Sequence, residues 1–319
     1  MDKKRIDLYK ESEIGSMFLD SGAFGLYTRV ISKMTPEEKR KYLYKKDGGH
    51  KQYLDLYVEF VKAHEGAFDY VASVDVISDF ETSWRNLKYL ESKGLSPVPV
   101  LHYNCKRAEL EKYLESGYKM LGLGGMVNAS PGSSHHDWLD DMFEIICDPT
   151  SGEPCVKVHG FALTGWSVMS RYPWYSVDSA TWVKAAGFGD IIVPKKKNGQ
   201  FSFSVRPWRI PVSIKSGLIN KRNGHINNIP KAAKNDVMQW LEFIGVPLGV
   251  GAAVKTDVEL SENLFGAVHE VEKEMKVWGV ATHREARAYA NLKYFEAFAN
   301  YQSSFQTTFK PQRRATLWD

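Results

Sequence analysis

Tyr175-Ser176-Val177-Asp178-Ser179 is a short run that stops on an aspartate, and two earlier stretches end the same way: Met17-Phe18-Leu19-Asp20-Ser21-Gly22 and Tyr70-Val71-Ala72-Ser73-Val74-Asp75. A run of this length reads as a buried strand, with the carboxylate where the strand leaves the core. If such strands are parallel and close into a cylinder, their carboxyl ends open on one face, and residues distant in sequence converge there. Carboxylates gathered in one pocket can divide the work of nucleophile and acid/base, because burial and mutual repulsion separate their pKa values. The three runs therefore predict both a fold and an enzyme.

The sequence around them alternates helix and strand signals. Thr35-Pro36-Glu37-Glu38 is a capping box with proline at the first helical position, opening a helix to about Tyr44. Apolar spacing predicts a helix over 52–64, and Asp79 caps another that Gly94 closes. Strands are predicted at 97–102, 118–122 and 156–160, and helices at 106–116 and 137–146, with further strands suspected near 6–8 and 190–193. Alternation with short turns implies parallel βαβ units. The expected fold is a (β/α)8 barrel, with a doubly wound open sheet as the alternative. Gly122-Leu123-Gly124-Gly125 lacks the spacing of a dinucleotide fingerprint.

After Val193 the pattern changes. Lys195 to Val205, centred on Asn198-Gly199, predicts a hairpin, and helices are expected over 231–243, 261–277 and 284–301. A boundary near Gly224 would separate a core, residues 1–224, from a C-terminal helical part, residues 225–319, that completes or flanks the barrel.

The chain has 319 residues, 43% hydrophobic and 25% charged, within the range of one large globular domain plus an extension. Cys105, Cys147 and Cys155 show no C-x-x-C spacing, so neither a disulfide framework nor a zinc knuckle is indicated. A polar N-terminus and the lack of any 18-residue apolar run lead to the expectation of a cytoplasmic protein without membrane association. Between Lys184 and His225 there are nine basic residues against one acid, +8 within a total of +4, which leaves the remainder at −4. A local basic segment on an acidic body suits a polyanion, although a solvated lysine-rich loop accounts for it equally well.

The strand ends present Asp20, Asp75, His102, Gly124-Gly125, His159-Gly160 and Asp178. Singly, such an aspartate is as often the N-cap of the next helix, such a histidine a hydrogen-bonded core residue, and a glycine pair a turn. As an ordered set they resemble the tRNA-guanine transglycosylase family. Phe18-Leu19-Asp20-Ser21-Gly22-Ala23-Phe24 resembles its D-S-G-G-F motif, and Val74-Asp75 its base-recognition strand. Leu121 to Met126 is similar to its glycine-rich strand end, while Asp178 followed by Asn198-Gly199-Gln200 is similar to its nucleophile strand and trailing hairpin. The order holds over about residues 17–204.

The resemblance implies an enzyme that exchanges guanine in a polynucleotide for a free 7-deazaguanine, without a cofactor. Asp178 would attack the anomeric carbon and Asp20 would shuttle the proton. Asp75, His102, Ser21, Phe24, Gly124, Gly125, His159 and Gly160 would bind the base. Lys195, Lys196, Lys197, Arg206, Arg209, Lys221 and Arg222 would grip the phosphates of a nucleotide drawn out of its stack. The family's tRNA enzymes carry a C-x-C-x-x-C…H zinc site after the nucleophile, but no cysteine follows Cys155 here, so the expected chain has no zinc subdomain. That part seats tRNA and forms the family dimer. Val158 to Thr164, with Tyr172 to Ser179, is similar to the DNA-modifying branch found in phage and bacterial systems. DNA is accordingly the expected polymer, tRNA the alternative, a homodimer is left open, and a phage-encoded enzyme would act in the host cytoplasm. A non-catalytic nucleic-acid-binding paralogue and a metal-dependent hydrolase using Asp20, His102, His159 and Asp178 complete the alternatives.

Overall fold

The computed structural model describes residues 16–45, 48–126, 135–219, 224–249, 258–262, 268–272, 277–303 and 308–310. The suspected strand at 6–8, Lys221 and Arg222 lie outside these residues. The chain is a mixed α/β protein of two compact units, Met1–Asp178 with Thr307–Asp319, and Ser179–Gln306. The boundary expected near Gly224 thus falls inside the second unit.

The first unit is built on a parallel sheet. β1 (Phe18–Leu19) pairs with β2 (Tyr70–Val71), and a bridge from Ala72 to Val98 continues the sheet. Next come β3 (Val100–His102), β4 (Met120–Gly124), β5 (Lys157–Gly160) and β6 (Ser176–Val177), in that order and all parallel. Spatial order follows chain order, without the reversal that defines a doubly wound sheet. The sheet is also rolled. β1 and β5 are four places apart, about 19 Å in a flat sheet, yet the Phe18 and His159 rings stack with centroids 4.6 Å apart.

Helices cover the outer face. They are α1 (Ala23–Arg29), α2 (Pro36–Tyr44), α3 (Gly49–Ala63), α4 (Phe80–Ser92), α5 (Arg107–Glu115), α6 (His135–Ile146) and α7 (Trp166–Arg171). The predicted caps form: Thr35 and Glu38 exchange bonds at the start of α2, and Asp79 accepts the Thr82 N–H at the start of α4. Leu101, Leu121, Leu123 and Val158 meet Leu110, Leu139, Phe143 and Ile146 in one buried cluster. Each such side chain contributes roughly 1.5–3 kcal/mol by leaving water. Because strand side chains alternate, this outward apolar set fixes Val100, His102, Gly122, Gly124 and His159 on the inner face.

The second unit opens with α8 (Thr181–Gly187) and β7 (Asp190–Val193), which pairs antiparallel with β10 (Trp208–Pro211). Between them the predicted hairpin forms from β8 (Lys195–Lys197) and β9 (Gln200–Ser202). Asn198 and Gly199 both take positive φ, 52° and 80°, as a type I′ turn requires. α9 (Lys231–Phe243) and α10 (Arg284–Ser303) match the expected helices. The described residues within the helix expected over 261–277 are not helical at 261–262 and 268–272. β11 (Val258–Glu262) and β12 (Val268–Glu272) pair antiparallel instead. Val258-Glu259-Leu260-Ser261 alternates apolar and polar residues with period two, a strand pattern that the glutamate content obscures. Among the described residues, no helix is long and apolar enough to cross a membrane.

Candidate active site

The mouth of the rolled sheet lies at the carboxyl ends of β1 to β6, and sharp turns carry the chain out of it. Gly22, Ser78, Asn104, Gly125 and Ala162 follow five of these strands, each with φ between 58° and 80°. A side-chain-bearing residue in that region is strained by about 1–2 kcal/mol. Three such residues around one opening indicate that loop direction there is set by more than local preference.

Asp178 follows β6, and its backbone N–H donates to the Gly160 carbonyl at 3.1 Å. Its Oδ1 accepts the Ala162 N–H at 2.8 Å and lies 3.6 Å from His159 Nε2. The other nitrogen of the buried His159, Nδ1, pairs with Ser176 Oγ at 2.8 Å, so a Ser176–His159–Asp178 chain crosses from β5 to β6. Lost hydration alone would push the Asp178 carboxyl up. The nearby His159 imidazole and the Ala162 N–H outweigh that and hold it below the usual carboxylate range. Its side chain is still 60% exposed. An ionised oxygen open to the mouth is what a nucleophile requires.

Asp20 stands at the end of β1, where its Oδ1 accepts the Gly22 N–H at 3.1 Å. Although open to the mouth, it lies deep enough in protein that loss of hydration pushes its carboxyl above the usual value. The Gly22 bond opposes this, the charges of Asp75 and Asp178 reinforce it, and His159 opposes it weakly. Asp20, Asp75 and Asp178 thus share one field. Tyr53 buttresses the loop from α3, donating from its hydroxyl to the Ser21 carbonyl at 2.5 Å.

Asp75 and His102 form the second acid–imidazole pair, with His102 Nε2 hydrogen-bonded to Asp75 Oδ2. Both side chains are largely buried. Gly125 makes this approach possible, since a Cβ there would lie 2.6 Å from His102 Nδ1 on a backbone with φ of 80°. Behind the pairs lies an aromatic floor in which Phe161 meets Phe18 and His159 edge-on, at 5.5 and 4.4 Å. Gly122 and Gly124 leave room for Phe161, whose ring would touch a Gly122 Cβ at 2.5 Å.

The structure therefore brings together Asp20, Asp75, His102, Gly124, Gly125, His159 and Asp178. Phe24 sits on α1, half exposed. Ser21 is buried, and its Oγ accepts the Ala23 N–H at 3.3 Å, a local turn bond at the start of α1. Gly160 is turned outward: a Cβ there would meet Leu163, Trp174 and Val177 in the outer layer, because residues next to His159 face away from the mouth. Lys195, Lys196, Lys197, Arg206 and Arg209 all belong to the second unit. Lys197 and Arg206 are exposed, whereas Lys196 pairs with Gln239 and Asp236, and Arg209 with Asp190.

Phe18, Phe161, Ser176 and Tyr53 were not anticipated. For the first three, period-two counting back from Asp20 and Asp178 and on from His159 is the signal that finds them. Tyr53 carried none beyond its helical face. Burial pushes the Cys105 and Cys147 thiols up to about 12, which disfavours thiolate chemistry at those two residues. Among the described residues, no group of three or more His, Cys, Asp or Glu side chains is placed to hold a metal ion. Comparisons of the chain with protein-family models, with curated proteins and with solved structures gave no match.

Proposed function

We propose that this chain is a DNA-guanine transglycosylase of (β/α)8-barrel architecture that exchanges guanine in DNA for a free 7-deazaguanine, such as 7-cyano-7-deazaguanine. The observation that carries the reading is the divergent setting of two carboxylates in one mouth: Asp178 held ionised, Asp20 pushed toward its protonated form. Environments that separate two acids in this way assign one as nucleophile and the other as acid/base. The motif order and the sequential, rolled parallel sheet support the family reading and the barrel.

An Asp178 oxygen attacks C1′ of the target nucleotide as the C1′–N9 bond breaks, and Asp20 gives its proton to the departing guanine. The sugar is then an ester of Asp178. The incoming base loses its N9 proton to Asp20 and attacks C1′, which releases Asp178 as carboxylate. Two inversions give retention, the logic of retaining glycosidases. Asp75 and His102 present a carboxylate and an imidazole to the base edge, Phe24 offers a stacking face, and His159 steadies the ionised Asp178.

The experiment is incubation of the purified protein with duplex DNA, tRNA and labelled guanine. Label should enter DNA, and a covalent protein–DNA species should appear by mass spectrometry with wild type and be absent with Asp178→Ala. Full-rate exchange by that variant would refute the mechanism, and uptake of label by tRNA alone would move the substrate to the other branch.

A further inference from the structure

Two side chains of α4 hold the backbone on either side of Asp75. Asn86 Nδ2 donates to the Val74 carbonyl at 2.7 Å, and the Val76 N–H donates to Ser83 Oγ at 2.8 Å. Ser83 and Asn86 are three residues apart, so they share the helix face that meets the strand end. Both are buried. The Ser83 hydroxyl is itself fixed, since it donates to the Asp79 carbonyl at 2.8 Å. Asp75, whose carboxylate is bonded to His102, is therefore clamped through the peptide groups of its two neighbours.

Asn86 is oriented in turn from α3. Its amide nitrogen lies 2.9 Å from Nε2 of His50, a buried residue in the first turn of that helix. One hydrogen of the amide nitrogen points at the Val74 carbonyl, which can only accept, so the other is donated to Nε2. Nε2 is then bare and the imidazole neutral, with its proton on Nδ1. Burial pushes this imidazole below its usual range, and the Arg85 charge adds to that while Asp79 opposes it. Among the described residues, Asn86 is the one hydrogen-bond partner of the His50 ring. A leucine would fill similar buried space, so what the imidazole adds is a single acceptor. The same face of α3 carries Tyr53 and Tyr57, whose hydroxyls donate to the Ser21 and Ala72 carbonyls.

We propose that His50 and Asn86 are positioning residues for base recognition: His50 fixes the Asn86 amide, and Asn86 fixes the Val74–Asp75 peptide that sets the direction of the Asp75 carboxylate. This role rests on Asp75 being the base-reading carboxylate of the proposed function, and it extends base reading to two buried residues of the outer helices. Hydrogen bonds weaken steeply with angle, so a carboxylate discriminates between bases only while its direction is held. Without the acceptor at position 50, a buried amide hydrogen of Asn86 loses its partner, and the amide turns to find another.

Labelled-guanine exchange by the full chain tests this, with free hypoxanthine, which lacks the 2-amino group of guanine, as competitor. His50→Leu should raise KM for guanine about tenfold while kcat stays within about threefold, and the preference for guanine over hypoxanthine should shrink. His50→Gln, whose side-chain carbonyl can accept from Asn86, should recover most of both. In the wild-type protein, ring ¹⁵N NMR signals of His50 should show the Nδ1–H tautomer; a proton on Nε2 would overturn the chain of bonds without recourse to any variant. If wild type exchanges guanine and His50→Leu lowers Tm but leaves KM and base preference intact, the positioning role is refuted while the proposed function stands. Failure of His50→Gln to recover either quantity would also refute it, because the accepting atom would then be immaterial. If wild type exchanges no base in any polynucleotide, the proposed function falls and this role falls with it.

Discussion

The ends of β1 and β6 present the same chemical group in opposite circumstances. Asp20 and Asp178 each stop a short strand, and each accepts one backbone N–H from a residue with positive φ, Gly22 at 3.1 Å and Ala162 at 2.8 Å. What separates them is the neighbour. Asp178 has His159 beside it, oriented by Ser176. Asp20 faces two other carboxylates and feels His159 only weakly. One imidazole, placed closer to one acid than to the other, gives the two carboxylates opposite shifts, which is the asymmetry the proposed mechanism uses.

The largest effect should come from removing the nucleophile. Asp178→Asn keeps shape and hydrogen-bond capacity but cannot form the ester, so base exchange should fall by about four orders of magnitude or more in a labelled-guanine assay, while nucleic-acid affinity stays near wild type. Asp20→Asn should cost less, on the order of 10²–10⁴-fold, the usual worth of general acid–base assistance. The two can be told apart by the leaving group. A target base that departs readily without a proton should recover activity in Asp20→Asn and none in Asp178→Asn. Equal recovery in both would erase the division of labour.

The pH profile sharpens the contrast. Asp178 must be ionised to attack, so activity rises with pH through its depressed pKa. Asp20 must be protonated to release guanine, so activity falls with pH through its raised pKa, giving a bell in kcat/KM. His159→Gln removes the strongest influence lowering Asp178 and only the weakest one acting on Asp20. The acidic limb should therefore move to higher pH by more than the alkaline limb, and the bell should narrow. A uniform drop with unmoved limbs would mean that His159 acts on something other than Asp178.

Much of this mouth was legible in the chain because the strands stop on the polar residues that line it and alternate strictly. Asp20, Asp75, His102, His159 and Asp178 each close a run whose outward partners, such as Leu19, Val74, Leu101 and Val158, are core leucines and valines. Gly160 faces away from the mouth for the same reason that His159 faces it: adjacency in a strand means opposite faces. The Asp75–His102 pairing was not readable, since it depends on Gly125 letting two strand ends approach. In the second unit, residues 261–277 read as helix because Glu and Lys favour helices, whereas Val258–Glu262 and Val268–Glu272 pair as strands.

The smallest effect returns to the two turn residues that serve the two acids. Gly22 has φ of 72°, and a Cβ there would sit 2.8 Å from the Tyr53 hydroxyl that braces the loop. Gly22→Ala should therefore lose about 1–2 kcal/mol from the backbone region alone, seen as a lower Tm, and should disturb Asp20 before Asp178. Ala162 already occupies the corresponding region with φ of 58°. Ala162→Gly relieves that strain, but the freer unfolded chain returns about 0.4–1 kcal/mol, leaving a net gain of about 0–1.6 kcal/mol. If both substitutions behaved alike, the positive-φ turns would be incidental. Opposite signs in Tm, with the alkaline limb moving only in Gly22→Ala, would tie each turn to its own carboxylate.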